Sequence, residues 1–156
     1  MAGPAREGKS VLITILITLV LVMTCVFIHY EMLRLISNAM PKMPGSPRRR
    51  MLSAIGVVFL AHIIEISLFA VAFGLMQHRW GLGEISGMVE GGWLDFFYFS
   101  AASYTTLGMG DLFPSGHLRF VAAIESLTGL VLIAWSASFT YLAMSNFWGL
   151  HKSRQK

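Results

Sequence analysis

Hydrophobic residues fall into three long blocks separated by short polar or glycine-rich intervals. Residues 11–28, 51–76 and 118–147 approach or exceed the ~20 apolar residues that a helix needs to cross a bilayer's hydrocarbon core. The first block, opening Val11-Leu12-Ile13-Thr14-Ile15, is apolar all round, so its periodicity selects no packing face and lipid is its expected neighbour. Pro41, Pro44, Gly45 and Pro47 break any helix that follows. Beyond the second block, Gly81, Gly83, Gly87, Gly91 and Gly92 predict a flexible connection. Residues 93–104 are rich in aromatics and free of Gly and Pro, enough for about three helical turns but too short to cross. Pro114, Ser115 and Gly116 turn the chain into the last block. Non-helical backbone at membrane depth is tolerated only where protein buries it or where it lines a watery cavity, so residues 93–111 read as a re-entrant segment.

Composition agrees with this reading. The chain is 55% hydrophobic and only 13% charged, with a mean hydropathy of +0.65, too little polar surface to cover a soluble domain of 156 residues. The net charge of +4 does not indicate nucleic acid, because the basic residues flank the apolar blocks. Arg34, Lys42, Arg48, Arg49 and Arg50 face only Glu31 in the first interval, which marks it as cytoplasmic. Lys152, Arg154 and Lys156 mark the C-terminus likewise, while Glu84, Glu90, Asp95 and Asp111 against Arg79 mark an outer face. Three spans then place the N-terminus outside. A cleaved leader fits the basic start, but the apolar run is long and no small-x-small site follows it directly, so a retained span is expected. The triplet Arg48-Arg49-Arg50 is read as a topology signal in contact with anionic lipid headgroups. Cys25 is the single cysteine, which excludes an intrachain disulfide.

The segment Thr105-Thr106-Leu107-Gly108-Met109-Gly110-Asp111 carries the most specific chemistry. An ion leaves water only if protein oxygens replace its hydration shell, and backbone carbonyls facing a narrow axis do this. Successive carbonyls point the same way when alternate residues enter the left-handed region, which Gly tolerates. Gly108 and Gly110 supply that alternation, Thr106 adds a hydroxyl at the inner end, and Asp111 leaves a carboxylate near the outer mouth.

This heptapeptide resembles the Thr-Val-Gly-Tyr-Gly-Asp filter of tetrameric potassium channels. With Tyr98 to Thr106 before it and Asp111-Leu112-Phe113-Pro114 after it, residues 51–147 resemble the pore module of two-transmembrane potassium channels and bacterial ion-channel domain proteins. The resemblance implies an all-α membrane protein with three transmembrane helices, a re-entrant pore helix and a filter loop, assembled as a homotetramer. It divides the chain into an N-terminal transmembrane helix (1–30), a basic cytoplasmic linker (31–50), the pore domain (51–147) and a short cytoplasmic tail (148–156). Within the pore domain it implies an outer helix (51–76), turret (77–92), pore helix (93–104), filter (105–111) and inner helix (118–147). Potassium would be held by the carbonyls of Thr106, Leu107, Gly108 and Met109, as permeant ion and not as cofactor. Tyr98 and Phe99 would pack around the filter, and Gly129 would be a gating hinge or a helix-packing contact.

Departures from the family pattern leave several functions open. Met109 replaces an aromatic, Leu107 replaces Val, and Ala102 stands where some relatives carry a carboxyl group behind the filter. The alternatives are therefore a potassium channel, a weakly selective sodium and potassium channel, and a non-conducting membrane protein with the same fold. The extra helix lacks the regularly spaced Arg or Lys of a voltage sensor, so an assembly or lipid-facing role is expected. A bacterial inner membrane is the expected location.

His62, Glu65 and Glu125 lie within predicted spans, where ionisable groups need partners. His62 and Glu65, at i and i+3, share one helical face. The readings are a buried hydrogen-bond network, with Ser67, Ser126 or Thr128 as candidate members, a proton sensor, and a metal site. No nucleophile, phosphate loop or substrate cleft accompanies them, so an enzyme is not expected.

Overall fold

The structure, a computed structural model, describes residues 4–148. Three helices are long and apolar enough to cross a membrane. They are α1 (Pro4–Ala39), α2 (Pro47–His78) and α4 (Leu118–Trp148). Between α2 and α4 lie β1 (Ile85–Gly87), the 12-residue α3 (Trp93–Tyr104) and β2 (Leu112–Pro114). The cytoplasmic tail predicted for residues 148–156, with Lys152, Arg154 and Lys156, lies outside the described residues from 149 on.

The chain between the first two spans is much shorter than the 31–50 linker that hydropathy implied. Helix α1 continues past the apolar block to Ala39 and ends in a 3-10 turn, Met40–Lys42. Leu33, Ile36 and Met40 extend its buried stripe, and the exposed Arg34 guanidinium donates to Glu31 at 3.2 Å one turn away. The prolines then act. Pro41 opens the 3-10 turn, Gly45 takes a positive φ of 112°, and Pro47 starts α2, where a missing N–H costs nothing. The guanidinium of Arg49 donates to the Pro44 carbonyl, and Arg50 Nε donates to the Met43 carbonyl at 3.0 Å. Two members of the basic triplet thus fasten the tight connection, while Arg48 is exposed.

Helix α1 does select a packing face. Thr14, Thr18, Cys25, His29, Leu33 and Ile36 are buried at helical spacing, whereas Leu12, Leu16, Leu19, Met23 and Phe27 are exposed. The threonine hydroxyls donate back to carbonyls four residues earlier, Thr14 to Ser10 at 2.9 Å and Thr18 to Thr14 at 2.7 Å. Such back-bonding satisfies polar groups where water is absent.

The glycine-rich connection after α2 is hydrogen-bonded and not open. β1 pairs antiparallel with β2, Ser86 opposite Phe113, and the Ser115 and His117 amides extend the pairing to the carbonyls of Glu84 and Leu82, each at 2.8 Å. Gly87 is needed for close approach, because its φ is 118° and a Cβ there would lie 2.1 Å from the Asp111 carbonyl oxygen. Asp95 starts α3 by accepting the amides of Glu90, Gly91 and Gly92 at 2.7 to 3.1 Å. Phe69, Phe73 and Met76 of α2, Phe99 of α3, and Leu118, Val121 and Leu132 of α4 form the main core, with Phe73 and Phe99 edge to face at 5.0 Å.

Candidate functional site

Residues 105–110 leave the end of α3 as an exposed loop whose backbone alternates in hand. Thr106, Gly108 and Gly110 have φ of 58°, 52° and 82°, while Leu107 and Met109 between them do not enter the positive region. A Cβ at Gly108 or Gly110 would meet nothing within 4 Å, so conformation and not space requires glycine there. Thr106 adopts the left-handed state without that freedom, a local strain of the kind found at functional loops.

The loop amides point back into α3. Those of Thr105 and Thr106 donate to the carbonyls of Ala101 (3.1 Å) and Ser103 (3.0 Å). Those of Leu107 and Gly108 share the Ala102 carbonyl, at 2.9 and 3.2 Å. At Ala102, where a carboxyl group was absent from the sequence, a main-chain oxygen supports the loop. The carbonyls of residues 106–109 accept no hydrogen bond among the described residues. The far end is tied down by Tyr98, whose hydroxyl donates to Asp111 Oδ2 at 2.8 Å. The Asp111 carboxylate raises the Tyr98 pKa by favouring the protonated phenol. Phe99, by contrast, points into the core.

Directly below Tyr104, the last residue of α3, lies a buried polar cluster drawn from all four helices. His29 of α1 and His62 of α2 direct their Nδ1 atoms at the two Glu65 oxygens, at 2.9 and 3.2 Å. Both Nε2 atoms meet Ser136 Oγ of α4, at 3.1 and 3.0 Å. The Tyr104 hydroxyl donates to Glu65 Oε2 and lies 2.8 Å from His62 Nδ1. The two imidazole centroids are 5.2 Å apart, and His29 also packs on Trp135.

The structure brings His62 and Glu65 together and separates Glu125 from them. Glu125 is buried one layer away, with Oε1 against the Ser100 hydroxyl, which also reaches the Ile66 carbonyl at 2.8 Å. Ser67 and Thr128 back-bond within their own helices, and only Ser126 crosses to α3, donating to the Ser103 carbonyl at 2.8 Å. The sequence reading missed His29, Tyr104 and Ser136. Gly129 packs directly on the end of α3, since a Cβ there would lie 2.0 Å from the Tyr104 carbonyl oxygen.

Three membrane-crossing helices, with a short helix and a strained carbonyl loop inserted before the last, define an integral membrane protein of channel type. The family model for ion channels matches residues 57–146, more than half of the chain, and the chain belongs to that family. It is also similar to the uncharacterized membrane protein YdjJ of Bacillus subtilis (strain 168), 35% identical over 89 residues. That match covers 55% of this chain and 26% of the relative, so the chain spans about a quarter of that protein's length. No solved structure matches.

Proposed function

We propose that the protein is a homotetrameric channel for monovalent cations, conducting potassium through carbonyl rings built from Thr106, Leu107, Gly108 and Met109 of each copy. The observation that carries this reading is the alternating φ at residues 106, 108 and 110, combined with amides directed back into α3. That combination leaves the carbonyls of residues 106–109 without hydrogen-bond partners among the described residues, and such oxygens can replace a hydration shell. One loop cannot encircle an ion, so several copies are required, and the family resemblance supports four. In this assembly α3 is the re-entrant pore helix and residues 105–111 are the filter. Leu107 and Met109, exposed at 64% and 65% in a single chain, are covered by neighbouring copies. The basic connection after α1 faces the cytoplasm of a bacterial inner membrane, the N-terminus lies outside, and Arg48 meets anionic headgroups.

A second reading, weak selectivity between potassium and sodium, is favoured by Met109. Its flexible side chain offers no hydroxyl donor to fix the loop's width from behind. Flux from liposomes loaded with potassium, sodium or rubidium tests both. Potassium and rubidium flux with little sodium flux supports a selective channel, and equal flux supports the second reading. No flux of any cation from reconstituted oligomers overturns conduction and leaves a non-conducting membrane protein.

A further inference from the structure

The buried cluster gathers imidazole nitrogens and a carboxylate, the ligand types that hold a transition metal, at one point between the helices. Ser136 has one hydroxyl proton and faces two imidazole Nε2 atoms. If both neutral rings carry their proton on Nδ1, Ser136 serves only one Nε2 and meets the other lone pair to lone pair. If both carry it on Nε2, Ser136 Oγ accepts from both rings through its two lone pairs. The two Nδ1 lone pairs then converge on the Glu65 carboxylate with no proton between them. In that tautomer pair a positive ion resolves the convergence, whereas with one ring of each tautomer and the Tyr104 hydroxyl the same groups close as a hydrogen-bond network.

We propose that His29, His62 and Glu65 form a buried transition-metal site, with Tyr104 as an adjoining oxygen and Ser136 holding both rings in the ligating tautomer. One ligand atom from each of the three residues lies within 4.8 Å of the others. His29 Nδ1 lies 2.9 Å from Glu65 Oε1 and His62 Nδ1 lies 3.2 Å from Oε2, each close to the ~3.3 Å spacing of neighbouring ligand atoms on metal bonds of ~2.0 Å. Two imidazoles and a carboxylate suit zinc and its first-row neighbours and not potassium, which takes oxygen shells. Ser136 supplies the outer hydrogen bonds that orient metal-binding histidines. The Tyr104 hydroxyl adjoins these atoms, 2.8 Å from His62 Nδ1 and bonded to Glu65 Oε2. The metal joins α1 to α2 directly below the loop, and this assignment stands whether or not the loop conducts.

Cobalt(II) is the probe. Untagged full-length protein, purified as the intact oligomer and stripped with a chelator, is titrated with Co2+ and read by metal analysis and visible spectroscopy. About one Co2+ per chain, with the intense bands of a four- or five-coordinate ion, displaced by Zn2+, is expected. His29→Ala, His62→Ala and Glu65→Gln each remove the bands, Ser136→Ala weakens binding ~10–100-fold, and Glu125→Gln leaves them unchanged. The wild-type titration decides the matter even if the ligand variants do not fold. Wild-type protein showing only the weak spectrum of aqueous Co2+ overturns the proposal and leaves the cluster as a hydrogen-bond network. Bands that survive all three ligand substitutions in folded protein also overturn it.

Discussion

Replacing Gly129 with Ala separates two roles for this residue by the sign of the effect. Helix α4 runs unbroken through Gly129, and an added Cβ would lie 2.0 Å from the Tyr104 carbonyl oxygen and 2.9 Å from its ring carbon Cγ. Carbon contacts are comfortable from ~3.5 Å, so α3 and α4 must part by more than about 1 Å. The nearest obstacle is main chain and cannot rotate away, which places the strain in the upper part of the ~1–3 kcal/mol range for overpacking. Ala returns up to ~1 kcal/mol through helix propensity. The net expectation is a loss of about 2 kcal/mol, which for a chain of this size lowers the thermal midpoint by roughly 4–8 °C. Purified protein in detergent, followed by intrinsic fluorescence against wild type, gives the readout. Because the Tyr104 carbonyl is one residue before Thr105, reduced cation flux should accompany the lower midpoint. A hinge glycine without a packing role predicts the opposite, a midpoint raised by the gain in helix propensity. An unchanged or raised midpoint in Gly129→Ala would refute the packing argument.

Gly108→Ala provides the contrast, since its Cβ has open space and only the φ of 52° resists it. A local cost of ~1–2 kcal/mol should abolish flux while leaving helicity and oligomer size unchanged; a folded variant with wild-type flux would remove the loop from the ion path. The Ser100 hydroxyl has one proton for two acceptors, the Ile66 carbonyl and Glu125 Oε1, and a Glu125 that donates as a carboxylic acid would make up the shortfall; its Oε2 has no partner among the described residues. Glu125→Gln should then stay within ~1 kcal/mol of wild type and Glu125→Ala should lose ~2–5 kcal/mol, whereas equal losses in denaturant titrations would exclude a donor role. Tyr98→Phe should preserve folding but lower discrimination between potassium and sodium in reversal-potential measurements, and unchanged discrimination would show that the Asp111 tie is dispensable. Because Asp111 raises the Tyr98 pKa, the tie is complete below the ordinary phenol value of ~10 and is lost only as pH rises through the raised value. Ultraviolet titration should therefore show one phenol moving down in Asp111→Asn.

The helix limits best predicted from sequence are those with local punctuation. Gly92 before α3 and Pro114-Ser115-Gly116 before α4 stop the chain for steric reasons that composition displays. Hydropathy reports where apolar surface ends, at residue 28, whereas helix α1 continues through Glu31 and Arg34 to Ala39 before the proline-containing turn. Its packing face was hidden for a related reason. In lipid both faces of a helix are apolar, and the buried one is marked by small and polar residues. Thr14, Thr18, Cys25 and His29 recur at helical spacing and carry that signal. His29 sits one position beyond the apolar block, where hydropathy does not mark it as an ionisable group inside a span. Tyr104 and Ser136 could not be assigned to the cluster from sequence, because their partners are 39 and 107 residues away.

His29 changes the status of the N-terminal helix. A helix that only faced lipid would have no reason to carry a fully buried imidazole bonded to Glu65 and Ser136. Removing α1 would expose Glu65 and leave His62 alone to serve Ser136 and the carboxylate. Tyr104 hydrogen-bonds to this cluster through its hydroxyl, packs against Gly129 through its carbonyl, and is bonded covalently to Thr105. A change in the cluster therefore reaches the loop through one rigid aromatic residue, without a hinge in α4. On this geometry α1 belongs to the mechanical support of the loop, through His29, Glu65 and Tyr104.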